Sequence, residues 1–523
     1  MSSRMERKYF ADLVLINGQI ITLDAENTIQ EGVAIKNGKI IEVGNKNEVK
    51  YWIGNETHVI DLNGKAVIPG FIDAHTHFIN MGLKFTYIDF HDTKSLKEAL
   101  ELIKKEAEKK KSGEWIIGSN WDESKWIENR YPTRWDLDKA VCDKPVYIVR
   151  ICGHMAATNT LGLKLLKVPR ETRGFEIDEK TGEPTGILKE DALEYAERVL
   201  KPSLNECLKG VKLAVDYSLR CGVTSVQDTV MSFHLSAYQI AMLEKWLKVR
   251  IYTFPWYTNL EYLTALGLRG GFGNNWLKIG GIKLMVDGSI GARTAALMEP
   301  YNDDPSSKGM LLIEEDDLVE IIKKANENDL QVAAHAIGDR AIETLLNAFE
   351  KASKGSNIKG RRHRIEHLEL PTEDQIDRMK KLGLIASMQP NFVGNWGMPG
   401  EMYEQRFGKE RWRRNNPFKI ILEKGVKLAF GSDCMPFGPI YGIWSAVNHP
   451  VEESRLSVEE ALRAYTNGSA YAAFEENIKG SIEIGKLADI IVLTKNPLKT
   501  PSKNIKDIYI YMTIVNGEVL YKM

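Results

Sequence analysis

Six residues of this chain could each ligate a metal, and each sits at or near the end of a strand-like segment: His75, His77, Lys283, His335, His367 and Asp433. On a strand, residues two apart face the same way, so the imidazoles of His75 and His77 in FIDAHTH can share one ion. An HxH pair also arises by chance as two polar side chains at a strand end. Lys283 stands inside the apolar run IGGIKLMV, where an unpaired ammonium would lose its hydration at considerable cost. Either it is salt-bridged, with Asp287 four residues on as partner, or it is a neutral amine that has become a carbamate whose oxygens bridge two cations. His335 ends LQVAAHA. His367 lies in RHRIEHLEL, where alternation puts His363, Ile365 and His367 on one face and makes the deeper His363 a structural histidine. Asp433 in VKLAFGSDC can bind a metal and accept a proton from water, or serve as an ordinary turn residue after Gly431-Ser432. Each bland alternative is strong alone. Four histidines and an aspartate beside a buried lysine favour a metal centre.

Such scattered positions meet only if the elements carrying them converge. Apolar strand-like runs alternate with amphipathic helical runs, and eight read as core strands: 67–75, 223–229, 249–254, 277–287, 330–336, 362–370, 384–390 and 426–433. A (β/α)8 barrel of the TIM type is the economical fold, because its C-terminal strand ends meet at one catalytic face. Asp339 is expected to N-cap the helix that follows His335. An insertion of about 80–205 after the first strand carries its own strand candidates, EWIIGS and PVYIVRICG, and is too long for a bare loop. Both chain ends alternate apolar and polar residues around Asn17-Gly18, Asn37-Gly38 and Asn516-Gly517, the chemistry of hairpins. The expected organisation is therefore a small β-sandwich built from residues 1–66 and 476–523, with the barrel over 67–475.

The chain of 523 residues is long enough for a large catalytic domain and a smaller one. Its 70 basic and 71 acidic side chains nearly cancel, so no global field draws it to nucleic acid or an anionic membrane. Five scattered cysteines without a CxxC pair suggest reduced thiols in a cytoplasmic protein, and the N-terminus reads as neither signal peptide nor membrane span.

These residues, with PGFIDAHTH, WIIGSNWDE, GHMAATN, GEPTGILKEDA, GVTSVQD, KLMVDGSIGARTAAL, AAHAIGDRA, RIEHLE, AFGSD and GKLADIIVL, resemble the amidohydrolase superfamily, in the branch of YtcJ-like proteins and N-substituted formamide deformylases. The resemblance spans nearly the whole chain. It implies that His75 and His77 bind the more buried of two metals, zinc first among them, that Lys283 as N6-carboxylysine bridges the pair, and that His335 and His367 bind the second. Asp433 is then both ligand and general base in hydrolysis of a non-peptide carbon–nitrogen bond, with an N-acyl or N-formyl amine as the first substrate class. His154, Arg293 and Trp121 are candidates to meet the substrate, and Trp126, Phe392 and Trp396 could line an apolar pocket. The expected partner is a small molecule, with neither nucleic acid nor membrane, and the expected assembly is a homodimer. Deamination of an aminated ring is the rival chemistry. Deaminases of the superfamily place a glutamate three residues after the strand-five histidine, where this chain has Gly338. A catalytically silent ligand-binding barrel would show a broken ligand set, and none of the six positions is lost.

Overall fold

The computed structural model describes residues 10–151, 155–355 and 357–523. It has a mixed α/β fold in two compact units, one comprising Met1–Phe78 and Ala214–Met523, the other Ile79–Leu213. Among the described residues no helix is long and apolar enough to cross a membrane.

In the first unit, parallel strands frame the chemistry-bearing residues, with His77 and Asp433 just beyond the first and last: β1 (Phe71–Thr76), β2 (Val223–Val230), β3 (Arg250–Pro255), β4 (Gly281–Met285), β5 (Gln331–Ala336), β6 (Arg364–His367), β7 (Ile385–Met388) and β8 (Lys427–Phe430). The sheet holding β1, β2 and β3 is extended beyond β3 by Leu277–Ile279 and Phe272–Gly273. A second sheet runs β4-β5-β6-β7-β8. A parallel bridge between Trp256 and Lys283 links the end of β3 to β4. Beyond β8, the Asp433 N–H donates to the carbonyl of His75 at 2.8 Å and the Ser432 N–H to Asp73 Oδ1 at 2.9 Å. β1, β2, β5 and β7 are buried on both faces, as expected of parallel strands covered by helices.

Two of the expected long strands are each two strands. Residues 67–69 belong to Ala66–Pro69, which pairs with Ile490–Leu493 in another sheet, and the chain changes sheets at Gly70. A Cβ there would lie 2.4 Å from the Thr224 side chain, so glycine permits the crossing. The run 277–287 breaks at Gly280, where a Cβ would fall 1.8 Å from the Tyr252 ring. Such a glycine marks a close approach of chains rather than a strand interior.

The chain ends form a four-stranded and a six-stranded sheet around a shared core that includes Leu13, Ile35, Val67, Ile490 and Ile514. Asn37-Gly38 and Asn516-Gly517 close antiparallel hairpins, with both residues of each turn at positive φ. Asn17-Gly18 does not. Leu13–Ile16 and Gln19–Ile21 lie in different sheets, and only Asn17 has a positive φ, so this pair turns a corner between layers.

The second unit has its own six-stranded sheet, in the order Phe175–Ile177, Pro184–Lys189, Met155–Thr158, Val146–Arg150, Ile116–Trp121, Ile88–Asp89. The helix Leu96–Ala107 is N-capped by Ser95 and lays Leu96, Ala99 and Ile103 into a core with Trp121, Trp126, Leu137 and Ile148.

Candidate active site

The histidines lie at or just past the C-terminal ends of their strands, and their rings meet there. The rings of His75 and His77 lie 5.8 Å apart, His75 and His367 4.9 Å, and His335 and His367 4.4 Å. Alternation along β6 would place His367 with His363, whose ring stacks on Phe349 in the helix Asp339–Ser353 at 5.4 Å. The backbone prevents this: His367 has φ 72° and Leu368 φ 48°. Two successive left-handed residues end the strand and swing the His367 ring to the side of His75 and His335, so the shared face expected for His363 and His367 does not hold. Non-glycine residues in this region carry strain and cluster at functional sites. Asp433 and Cys434, with φ of 50° and 59°, make the same kind of turn after β8.

Each nitrogen has a defined job. His75 Nδ1 lies 2.6 Å from Glu366 Oε2, so Nδ1–H donates and the Nε2 lone pair faces Lys283 Nζ at 3.4 Å and Asp433 Oδ1 at 3.8 Å. His335 Nε2–H donates to the Gly288 carbonyl at 2.9 Å, which puts the ring's lone pair on Nδ1. His77 Nε2 is 3.2 Å from Asp433 Oδ1. His367 Nδ1 is buried without a hydrogen-bond partner among the described residues. Nitrogen or oxygen atoms of His75, His367 and Asp433 all lie within 4.8 Å of one another. A buried nitrogen left bare, two imidazoles with their tautomers fixed from behind, and a carboxylate within reach suit a divalent ion.

The electrostatics follow from burial. Desolvation and the Lys283 charge push His335 down to about 3, and desolvation with the neighbouring His335 and His75 takes His367 well below its ordinary value. Both imidazoles are thus neutral, the form that binds metal. Burial pushes the Lys283 amine down to about 8, against the opposing pull of Glu366 and Asp433. Burial raises the Asp433 carboxyl, but the His77 hydrogen bond and the His77, His75 and Lys283 charges outweigh it and hold Asp433 at about 2. Asp287 is not the partner of Lys283. It accepts from the N–H groups of Ile337, Gly338 and Ala296 at 2.9–3.0 Å, and burial pushes its carboxyl up to about 7.

The other candidates divide. His154 lies outside the described residues. Arg293 is engaged by Asp303, its Nη2 2.9 Å and Nε 3.2 Å from the two carboxylate oxygens, so its charge is already answered within the loop. Trp121 is fully buried in the core of the second unit, with Nε1–H donating to the Ile148 carbonyl at 3.1 Å. Trp126 sits in the same core and donates to Thr93 Oγ1 at 3.0 Å. Phe392 stacks on His367 at 6.1 Å and 10°, with Trp396 against it at 5.0 Å. Asp339 is not a cap: Gly338 holds that position, and the Asp339 carboxylate takes the Met298 N–H at 2.8 Å and Arg414 at 2.7 Å. Sequence reasoning missed Arg364 and Glu366, two charged residues on one face of a buried strand, although that signal matches the one that singled out Lys283.

The site and fold define a class. The chain matches the amidohydrolase family over residues 58–521 and belongs to it. It is a metal-dependent hydrolase of carbon–nitrogen bonds acting on a small molecule. Among its relatives, the putative amidohydrolase YtcJ of Bacillus subtilis (strain 168) is 31% identical, over 97% of this chain and 98% of that one. The N-substituted formamide deformylase of Arthrobacter pascens is 26% identical, over 98% of each. The crystal structure of an uncharacterized metal-dependent hydrolase from Pyrococcus furiosus superposes with a TM-score of 0.82 at 34% identity, covering 93% of this chain and 100% of that chain.

Proposed function

We propose that this enzyme hydrolyses an N-acyl or N-formyl amine at a centre of two zinc ions held by His75, His77, Lys283, His335, His367 and Asp433. The observation that carries this reading is the meeting of His75, His367 and Asp433 donor atoms within 4.8 Å, with Lys283 Nζ 3.4 Å from His75 Nε2. Bound divalent ions would supply Lewis acidity towards the amide carbonyl and the attacking water. The chain's own part is proton movement and orientation. Asp433, ionised at neutral pH, takes a proton from water at a carboxylate oxygen and returns it to the leaving nitrogen, which departs poorly as an amide anion. Lys283, with its amine pushed down to about 8 by burial, has a neutral fraction able to add carbon dioxide and, losing a proton, become N6-carboxylysine. Phe392 and Trp396 offer an apolar wall beside His367. Where a deaminase would place its proton-donating glutamate, the Gly338 N–H is committed to Asp287 at 2.9 Å.

The proposed architecture is the closed (β/α)8 barrel with a terminal β-sandwich and the insertion after the first strand. The Trp256/Lys283 bridge and the Asp433-to-His75 hydrogen bond support closure at the two seams between the sheets. A homodimer is the proposed assembly. The test is a screen of N-formyl and N-acyl amines with metal-replete protein, beside Asp433→Asn. Turnover should fall about 10²–10⁴-fold in the variant, the usual worth of a positioned acid–base group, with the circular dichroism unchanged. Full activity in the variant would remove Asp433 as the base.

A further inference from the structure

Glu366 and Arg364 form a heavily bonded ionic group, and neither faces solvent. Glu366 is fully buried and Arg364 is 1% exposed. Both Glu366 oxygens are already engaged: Oε1 takes Arg364 Nε at 2.5 Å, and Oε2 takes both His75 Nδ1 at 2.6 Å and Arg364 Nη2 at 3.0 Å. The guanidinium also reaches other strands. Nη1 donates to Gln227 Oε1 on β2, while the two Nη2 hydrogens are shared among Glu366 Oε2, the Ala74 carbonyl on β1 at 2.5 Å and Ser387 Oγ on β7 at 2.8 Å. The Phe254 ring on β3 lies 4.8 Å from the guanidinium carbon.

Two of these contacts act on the same residue. The Ala74 carbonyl belongs to the peptide that carries the His75 nitrogen, so the guanidinium fixes where the His75 backbone sits. The same guanidinium orients the Glu366 carboxylate, which fixes the rotation and tautomer of the His75 ring. We infer that Arg364 and Glu366 are positioning residues that hold His75 at both ends, backbone and ring, and so aim its Nε2 into the centre. Resting on the proposed metal site, this assigns a role to two residues outside the six ligand candidates. Only the planar, five-donor arginine can serve four strands at once; a lysine offers three donors from one point.

The experiment uses the full chain in three forms: wild type, Glu366→Gln, which keeps the volume and one acceptor, and Glu366→Met, which keeps neither charge nor acceptor. Zinc dissociation constants are measured by competition with a chelator, and histidine ¹⁵N shifts are recorded on the metal-free proteins. The expected result is a loss of zinc affinity of about 10–100-fold, larger for methionine than for glutamine, as is usual when the partner of a ligating histidine is removed. The metal-free spectra should show His75 protonated at Nδ1 in the wild type and a mixture of tautomers in Glu366→Met. If Glu366→Met fails to fold, Glu366→Gln together with Arg364→Lys reads the same two quantities. Unchanged affinity and an unchanged His75 tautomer in variants that fold would overturn the inference. A wild type that binds no zinc would instead count against the metal centre, while the tautomer comparison would still decide whether Glu366 orients His75.

Discussion

Replacing Arg250 by methionine should expose the energetic weight of an ion pair at the end of the strands opposite the histidines. Arg250 opens β3, and its Nε and Nη2 lie 2.6 and 2.9 Å from the two oxygens of Asp489, each side chain being 3% exposed. Its guanidinium also covers the Trp276 ring at 4.4 Å and donates to the Asn275 carbonyl at 3.1 Å. Without the arginine, the buried Asp489 carboxylate keeps one named donor, the Asn516 N–H at 2.9 Å. Breaking a buried pair by removing one partner costs about 3–5 kcal/mol. At about 1.4 kcal/mol per tenfold, that is roughly two to three and a half orders of magnitude in local opening. Asp489→Asn should cost less, about 1.5–3 kcal/mol, because the guanidinium keeps Asn275 and the Trp276 face. The double variant leaves neither charge stranded and should lose less than the sum of the two. A chain with two compact units need not unfold in one step, so the assay is native-state hydrogen exchange read on peptides from Arg250–Pro255 and Ile490–Leu493, with Val146–Arg150 as control. Losses below about 1 kcal/mol in both single variants, or strict additivity in the double, would refute the reasoning.

Two further outcomes can be checked directly. His363 is buried and accepts the Val332 N–H at Nδ1, and burial pushes it down to about 3, so its neutral form is the one the fold holds. Its contribution is complete above the unfolded value of about 6.5 and is lost as pH falls towards 3. Relative to His363→Gln, the wild type should lose up to about 1.4 kcal/mol per pH unit in that window, seen as melting points that converge on acidification. Gly431→Ala would place a Cβ 2.4 Å from the His75 nitrogen and 2.8 Å from its Cβ, forcing the chains apart beside Asp433. A cost of about 1–3 kcal/mol in stability, with reduced zinc per chain by elemental analysis, is the expected result.

The chemistry-bearing residues were legible because each breaks a local rule: HxH at a strand end, a lysine in an apolar run, an aspartate after the last strand. The structure gathers them in one region of the first unit. How they get there was less legible. His367 reaches the group only through a positive φ, and nothing in RIEHLEL distinguishes that from simple alternation. Gly70 and Gly280 read as glycines within strands, whereas both mark places where the chain leaves one sheet for another or kinks past an aromatic ring. Asn17-Gly18 carries hairpin chemistry but turns between layers, since strand pairing depends on partners remote in sequence. Trp121, a candidate to meet the substrate, packs in the core of the second unit. Arg364 and Glu366 were passed over because charged residues in a strand usually face water.

The hand-over at Gly70 bears on how this enzyme could be cut, grafted or inherited. Gly70 donates its N–H to the Asp489 carbonyl, and the next residue, Phe71, donates to the Gly222 carbonyl, so the chain passes from the terminal sheet to the catalytic one within a single peptide. His75 follows four residues later in the same unbroken strand. The chain offers no linker at this crossing: a graft of the terminal sheets would have to carry Ala66–Pro69 and Ile490–Leu493 together, and a truncation at residue 70 would strip the pairing from the peptide that begins the path to His75.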